Sequence, residues 1–85
     1  MQSTQRASLR LTQRELQVLK LIADGHSTKS IADELHIAYK TADTHRTKLM
    51  NTLGIHSIAG LVRYAIRIGL VETVVFVSVV AGWLL

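Results

Sequence analysis

The sequence contains no cysteine and no proline among its 85 residues. Without cysteine, the chain can form neither a disulfide framework nor a thiolate metal site. Without proline, only glycines can interrupt the helical pattern between Leu11 and Leu70. The first ten residues, MQSTQRASLR, lack the apolar segment of a secretory signal, so we expect a cytoplasmic location.

Size and charge narrow the possible classes of function. A chain of 85 residues can bury one modest core and leaves little room for an enclosed catalytic cleft. Its 10 Lys and Arg residues against 6 Asp and Glu give a formal charge of +4. This balance favours a polyanionic partner, either nucleic acid or an anionic membrane surface, although basic composition alone is a weak signal.

Apolar periodicity predicts four helices joined by short connections. Thr12 and Glu15 match a capping box before the first helix, which we expect to end at Gly25. The predicted bounds of the other helices are Ser27 to about Leu35, Ala38 or Tyr39 to Leu53 with Gly54 beyond, and Ser57 to Gly69. Together they predict an all-α domain over residues 9–71, preceded by a flexible leader or linker remnant over residues 1–8.

The third predicted helix separates two interpretations of the domain. On a helical wheel its core face carries Ala38, Ala42, Leu49 and Leu53. The opposite face carries Lys40, Thr44, Thr47 and Asn51, flanked by Thr41, Asp43 and Lys48. This outer face has hydroxyls, an amide and lysines but no glutamate, whereas solvated helices usually carry Glu–Lys pairs. Such groups suit base edges and phosphates in a DNA major groove, but the pattern alone leaves a merely solvated face equally open.

Arg46 lies near the edge of the core face of the same helix. A guanidinium group in that position needs a carboxylate partner, and Glu15 or Glu34 could supply one. We therefore expect Arg46 to brace two helices rather than to contact DNA.

The stretch LTQRELQVLKLIADGHSTKSIADELHIAYKTADTHRTKLMNTLGIHSIAGLVRYAIRIGLV resembles the LuxR/FixJ/NarL-type C-terminal helix-turn-helix domain. The matching residues are Leu11-Thr12, Arg14-Glu15, Val18-Leu19, Ala23, Gly25, Ser27, Lys29, Ile31-Ala32, Leu35, Ile37, Thr41, His45-Arg46, Leu53, Ser57 and the block from Leu61 to Ile66. The resemblance implies a four-helix helix-turn-helix bundle, with a scaffold helix near Thr28–Leu35 and a recognition helix near Tyr39–Leu53. It also implies a role in transcription regulation.

The resemblance assigns contacts to individual residues. Base contacts fall on Asp43, Thr44 and Thr47, and the helical wheel adds Asn51. Phosphate contacts fall on Lys29, Thr41 and His45 or Lys48, and the wheel adds Lys40. The fourth helix is the usual dimer contact of the family, here with Ile58, Leu61, Val62 and Ala65. The implied partners are double-stranded DNA and a second copy of the chain, with RNA polymerase as a further candidate.

Four residues depart from the family pattern. Ala38 stands where Ser or Thr is frequent, so the third helix is expected to lack a side-chain N-cap. Ala42 replaces a common valine and thins the core, while Thr52 replaces a frequent lysine and removes one phosphate contact. Asp43 introduces a negative charge. This residue is either a specificity residue, whose carboxylate accepts a hydrogen bond from cytosine N4, or a solvated charge.

Neither a metal site nor a catalytic site stands out. The four histidines, His26, His36, His45 and His56, are spaced too widely for a compact ligand motif. Ser27 and Ser57 are better explained as helix caps than as nucleophiles. We expect no metal, no cofactor and no enzymatic activity.

The last residues form an apolar tail, 72–85, whose role the sequence leaves open. Residues 74–85, VVFVSVVAGWLL, carry no charge, but a bilayer requires about 20 apolar residues, so we expect no transmembrane span. The β-branched residues favour a strand or a segment that pairs with another chain. A cover for the fourth helix, an extended dimer interface and a cloning or frameshift remnant are alternatives.

Two other functions fit the sequence. A degenerate copy of the domain could heterodimerise with a related regulator and inhibit it, and Ala42, Asp43, Thr52 and the apolar tail favour this interpretation. A sigma-factor-like four-helix segment would bind DNA together with RNA polymerase.

Overall fold

The structure, a computed structural model, describes residues 10–71. Its elements are α1 (Gln13–Ala23), α2 (Thr28–Leu35), α3 (Tyr39–Leu53) and α4 (Ile58–Arg67). These residues contain no strand, which confirms the all-α prediction for this part of the chain. The leader predicted over residues 1–8 and the apolar tail predicted over residues 72–85 lie outside the described residues.

Short polar side chains begin three of the helices, as the sequence predicts. The Thr12 hydroxyl accepts a hydrogen bond from the Glu15 backbone N–H at 3.0 Å. Ser27 and Ser57 accept equivalent bonds at the starts of α2 and α4, at 3.1 Å and 3.0 Å. These bonds satisfy backbone donors that have no partner within the helix. The reciprocal half of the predicted capping box is not formed, since the Thr12 backbone N–H donates no hydrogen bond to the Glu15 carboxylate.

The core lies where α1 packs against both α3 and α4, and α2 packs against α3. Its buried apolar residues come from all four helices and include Val18, Leu19, Ile31, Leu49 and Leu61. Glu15 is also buried at 2% exposure, and its Oε2 atom has no hydrogen-bond partner among the described residues. A buried carboxylate oxygen without a partner is costly, so Glu15 is a polar exception in an apolar core.

The predicted core face of α3 requires one correction. Ala42 and Leu49 are fully buried and Leu53 packs against the core, but Ala38 is exposed. Ala38 precedes the helix and has an extended backbone, with φ −66° and ψ 150°. Its side chain therefore does not take the position that a helical wheel would give it.

Arg46 does not form the predicted brace. Among residues 10–71, no ion pair joins Arg46 to Glu15 or Glu34. Arg46 is half-buried and instead lines a concavity of about 360 Å³ together with Ile22 and Ile58. A position on a helical wheel does not give the distance to a side chain on another helix.

The apolar stripe of α4 divides into a buried and an exposed part. Leu61 and Ala65 are fully buried in the core, together with Tyr64. Two of the four residues assigned to a dimer contact are thus core residues and have no free surface to offer a partner. Ile58 is 46% exposed and Val62 is half-buried, so only these two remain available on the surface.

None of the helices among the described residues is both long enough and apolar enough to cross a membrane.

Candidate nucleic-acid interface

Three residues connect α2 to α3, and the backbone closes this turn. His36 adopts the left-handed conformation, with φ 56° and ψ 44°. The backbone N–H of Ile37 donates to the Ala32 carbonyl at 3.0 Å, and that of His36 donates to the Asp33 carbonyl at 3.3 Å. These bonds satisfy the last carbonyls of α2 and direct the chain sharply into α3. Ile37 then packs against the core, which holds the turn in place.

The outer face of α3 carries the four predicted base-contact residues. Asp43, Thr44, Thr47 and Asn51 are all exposed. With Lys48 and Thr52 they line a shallow, open depression of about 380 Å³. The structure therefore brings these four side chains together on one continuous surface. Asp43, Thr44 and Asn51 each lie three or four residues from Thr47, which places them on one side of the helix.

Thr44 makes a hydrogen bond within the helix. Its hydroxyl donates to the Lys40 backbone carbonyl at 2.9 Å. The hydroxyl hydrogen is thus occupied, while the oxygen can still accept a bond and the methyl group can contact an apolar base edge. Thr44 is therefore suited to accept from a base amino group or to touch a thymine methyl group.

The predicted phosphate contacts surround this surface on two helices. Lys40, Thr41 and Lys48 are exposed on α3, and Lys29 is exposed in the first turn of α2. His45 is half-buried, so it presents less surface than the others. Three lysines on α2 and α3 supply the positive charge that the neutralisation of phosphates requires.

Asp43 is the one carboxylate among the predicted base-contact residues. It is exposed, and among the described residues it forms no ion pair with a neighbouring lysine. A carboxylate that is free of lysine partners keeps both oxygens available to accept hydrogen bonds. The structure therefore leaves Asp43 open to a partner outside the domain.

Tyr39 lies one helical turn before this surface and was not among the residues predicted to contact DNA. It is the first residue of α3 and is 60% exposed. It precedes Asp43 by four residues, and residues so spaced are neighbours on a helix surface. An aromatic residue directly before the polar run of α3 is the sequence signal that marks it as a candidate contact.

Ala38 leaves the start of α3 without a side-chain cap. No side-chain hydrogen bond is made at this N-cap position, as the sequence predicts.

His26 has a hydrogen-bond partner close to it in the chain. Its Nδ1 atom lies 2.7 Å from the hydroxyl oxygen of Ser30 in α2.

The described residues define a helix-turn-helix domain, with α2 as the scaffold helix and α3 as the exposed second helix. The chain belongs to the family described as bacterial regulatory proteins, luxR family, whose model matches residues 9–65.

Several curated relatives support this membership. The transcriptional regulatory protein MctR of Rhizobium johnstonii is 50% identical over 64 residues, covering 75% of this chain and 30% of MctR. The uncharacterized response regulatory protein YgeK of Escherichia coli is 46% identical over 59 residues, or 69% of this chain and 40% of YgeK. The oxygen regulatory protein NreC of Staphylococcus aureus is 44% identical over 62 residues, or 73% of this chain and 29% of NreC. The chain thus spans well under half the length of these relatives.

Proposed function

We propose that the chain binds double-stranded DNA sequence-specifically and regulates transcription. The observation that carries this proposal is the exposed outer face of α3, which is polar, basic and free of glutamate. In a helix-turn-helix domain the second helix enters the major groove, so this face would meet the base edges. The relatives MctR and NreC are named as regulatory proteins, which supports the same role.

The side chains divide by chemistry into two groups. Asp43, Thr44, Thr47 and Asn51 are the proposed base contacts. Lys29, Lys40, Thr41, His45 and Lys48 are the proposed phosphate contacts. Contacts to phosphates hold the domain on the duplex, whereas contacts to base edges provide selectivity. Since regulation requires access to the chromosome, the proposal implies the bacterial cytoplasm, and RNA polymerase is a further proposed partner.

We further propose that the chain acts as a dimer on inverted-repeat half-sites. The exposed side chain of Ile58 and the half-buried side chain of Val62 supply the apolar surface on α4. Leu61 and Ala65 contribute by fixing α4 on the core rather than by touching the partner. Two α3 helices related by a twofold axis would then read two half-sites of the same sequence.

A salt titration tests the DNA-binding proposal. Binding that neutralises phosphates releases counterions, so affinity should fall linearly with salt concentration on logarithmic axes. DNA selected from a random pool by the full 85-residue chain provides the ligand. Affinity that does not respond to ionic strength, or no binding by the folded chain, would contradict the proposal.

Two substitutions separate the roles. Lys29→Ala should weaken all sites alike and lower the salt slope by about 1, whereas Thr47→Ala should change base preference at one position. Arg67→Ala removes the same charge from an exposed residue at the end of α4 and serves as the control. If Lys29→Ala and Thr47→Ala bind like the parent chain, the assignment of α3 and α2 to DNA is wrong.

A second candidate function is heterodimerisation with a related regulator, which the chain would inhibit. The exposed carboxylate of Asp43 favours it, because a negative charge beside phosphates opposes DNA binding. Tight self-association or partner binding by a folded chain with no affinity for DNA would support this function over the first.

A further inference from the structure

Asp43 is a negatively charged residue on a surface that otherwise suits an anion. Lys40 precedes it by three residues, yet no ion pair neutralises the carboxylate among the described residues. Asp43 is exposed and lines the same depression as Thr47, which follows it by four residues. A carboxylate in this position is repelled by phosphates, so docking of α3 gains from it only if a base donates a hydrogen bond to it.

The donor pattern of the major groove restricts which base can do so. Guanine presents two acceptors, N7 and O6, and thymine presents the O4 acceptor and a methyl group. Adenine presents its N6 amino donor beside the N7 acceptor, whose lone pair faces the second carboxylate oxygen. Cytosine itself presents only the N4 amino donor and no acceptor of its own in the major groove. Of the four bases, cytosine therefore fits an acceptor-only side chain.

We infer that Asp43 makes each DNA half-site specific for a cytosine, by accepting a hydrogen bond from its N4 amino group. This inference rests on the proposed function and specifies the class of DNA sequence that the domain selects. Asp43 and Thr47 are separated by about 6 Å along the helix axis. Stacked bases are about 3.4 Å apart, so a separation of this size lets the two side chains contact different bases of the half-site.

The first experiment measures base preference with the full chain. Sites selected from random DNA should contain a cytosine at one position of each half-site. Changing that cytosine to adenine, guanine or thymine should lower affinity about 5- to 100-fold per half-site at fixed salt. Selected sites in which no position requires a cytosine would overturn the inference.

The second experiment changes the residue. Asn carries one donor and one acceptor and pairs with adenine N6 and N7, so Asp43→Asn should move the preference from cytosine to adenine at that position alone. Asp33→Asn makes the same charge change at an exposed residue of α2 and should keep the preference for cytosine. A general rise in affinity in both variants without a switch would mean that Asp43 is only a solvated charge, and the inference would fail.

The outcomes separate this inference from the proposed function. Helical circular dichroism first establishes that each variant is folded. A folded parent chain that binds no DNA overturns both statements. Salt-dependent, sequence-selective binding without a cytosine preference overturns only the role of Asp43.

Discussion

The Ile55 side chain occupies the space beside the Gly60 backbone that any larger residue at that position would need. A β-carbon on Gly60 would lie 2.6 Å from Ile55 Cγ2 and 2.9 Å from the Ser57 hydroxyl oxygen. The hydroxyl is already engaged as the cap of α4, since it accepts from the Gly60 N–H. The connection between α3 and α4 can therefore pack this closely only because residue 60 has no side chain.

Gly60→Ala should therefore destabilise the domain, although alanine is the better helix former. The higher helix propensity of alanine would by itself raise the free energy of unfolding by about 1 kcal/mol. Repacking of Ile55 around the new β-carbon would lower it by about 1–3 kcal/mol. We expect the free energy of unfolding in denaturant to fall. Ala59→Gly, at the adjacent exposed residue, measures the propensity effect separately. A more stable Gly60→Ala variant would contradict the predicted clash.

Ala38→Ser should stabilise the domain by about 1 kcal/mol. Ala38 has the extended conformation of an N-cap but makes no side-chain bond, and a serine hydroxyl there could accept from a backbone N–H in the first turn of α3. Thermal or denaturant unfolding measures the gain. Ser27→Ala, which removes the existing cap of α2, should cost a similar amount. Unchanged stability in Ala38→Ser would mean that the start of α3 cannot accommodate a cap.

Ile58→Asp should weaken self-association by at least about tenfold while the domain stays folded. A charge on this 46% exposed residue would disrupt an apolar contact but not the core. Ala59→Asp adds the same charge at the neighbouring exposed residue and serves as the control. Leu61→Asp should instead unfold the domain, because Leu61 is fully buried. Sedimentation and circular dichroism distinguish these results, and an Ile58→Asp chain that associates like the parent would rule out this surface.

Stability should fall at alkaline pH through Tyr64. Burial raises the pKa of its phenol above the ordinary 10.0, and the positive charge of Arg10 opposes part of this rise. The folded state thus holds the phenol proton more tightly than the unfolded state does. This contribution to stability is complete below pH 10 and is lost as the pH rises through the folded-state pKa of Tyr64.

The measurement compares denaturant unfolding of the parent chain and Tyr64→Phe as the pH rises above 10. The parent should lose more stability than the variant over this range. Because the chain has two tyrosines, Tyr39→Phe leaves Tyr64 as the remaining one, and its tyrosinate absorbance can be followed directly. Equal losses in the parent and in Tyr64→Phe would contradict the prediction.

Local signals made the helices predictable from the sequence. Ser27 and Ser57 cap their helices as expected, and Gly54 ends α3 in the left-handed conformation with φ 67°. Each of these features depends on atoms only a few residues apart in the chain. The outer face of α3 was predictable for the same reason, since a helical wheel orders residues within one helix.

Relationships between helices were harder to predict. The apolar stripe of α4 did not reveal that Leu61 is buried and Ile58 exposed, because both residues are equally apolar. The absence of an ion pair between Arg46 and Glu15 or Glu34 depends on distances between separate helices. Such distances follow from packing of the whole domain, which residue spacing within one element does not report.

The turn between α2 and α3 determines which substitutions residue 36 can accept. The bonds that close it use main-chain atoms of Ala32, Asp33, His36 and Ile37, and the His36 side chain itself is exposed. The direction of α3 thus depends on backbone hydrogen bonds. Residue 36 must adopt the left-handed conformation, but its side chain is not required for these bonds. Glycine or asparagine should be interchangeable with histidine there, whereas a β-branched residue would misalign α3.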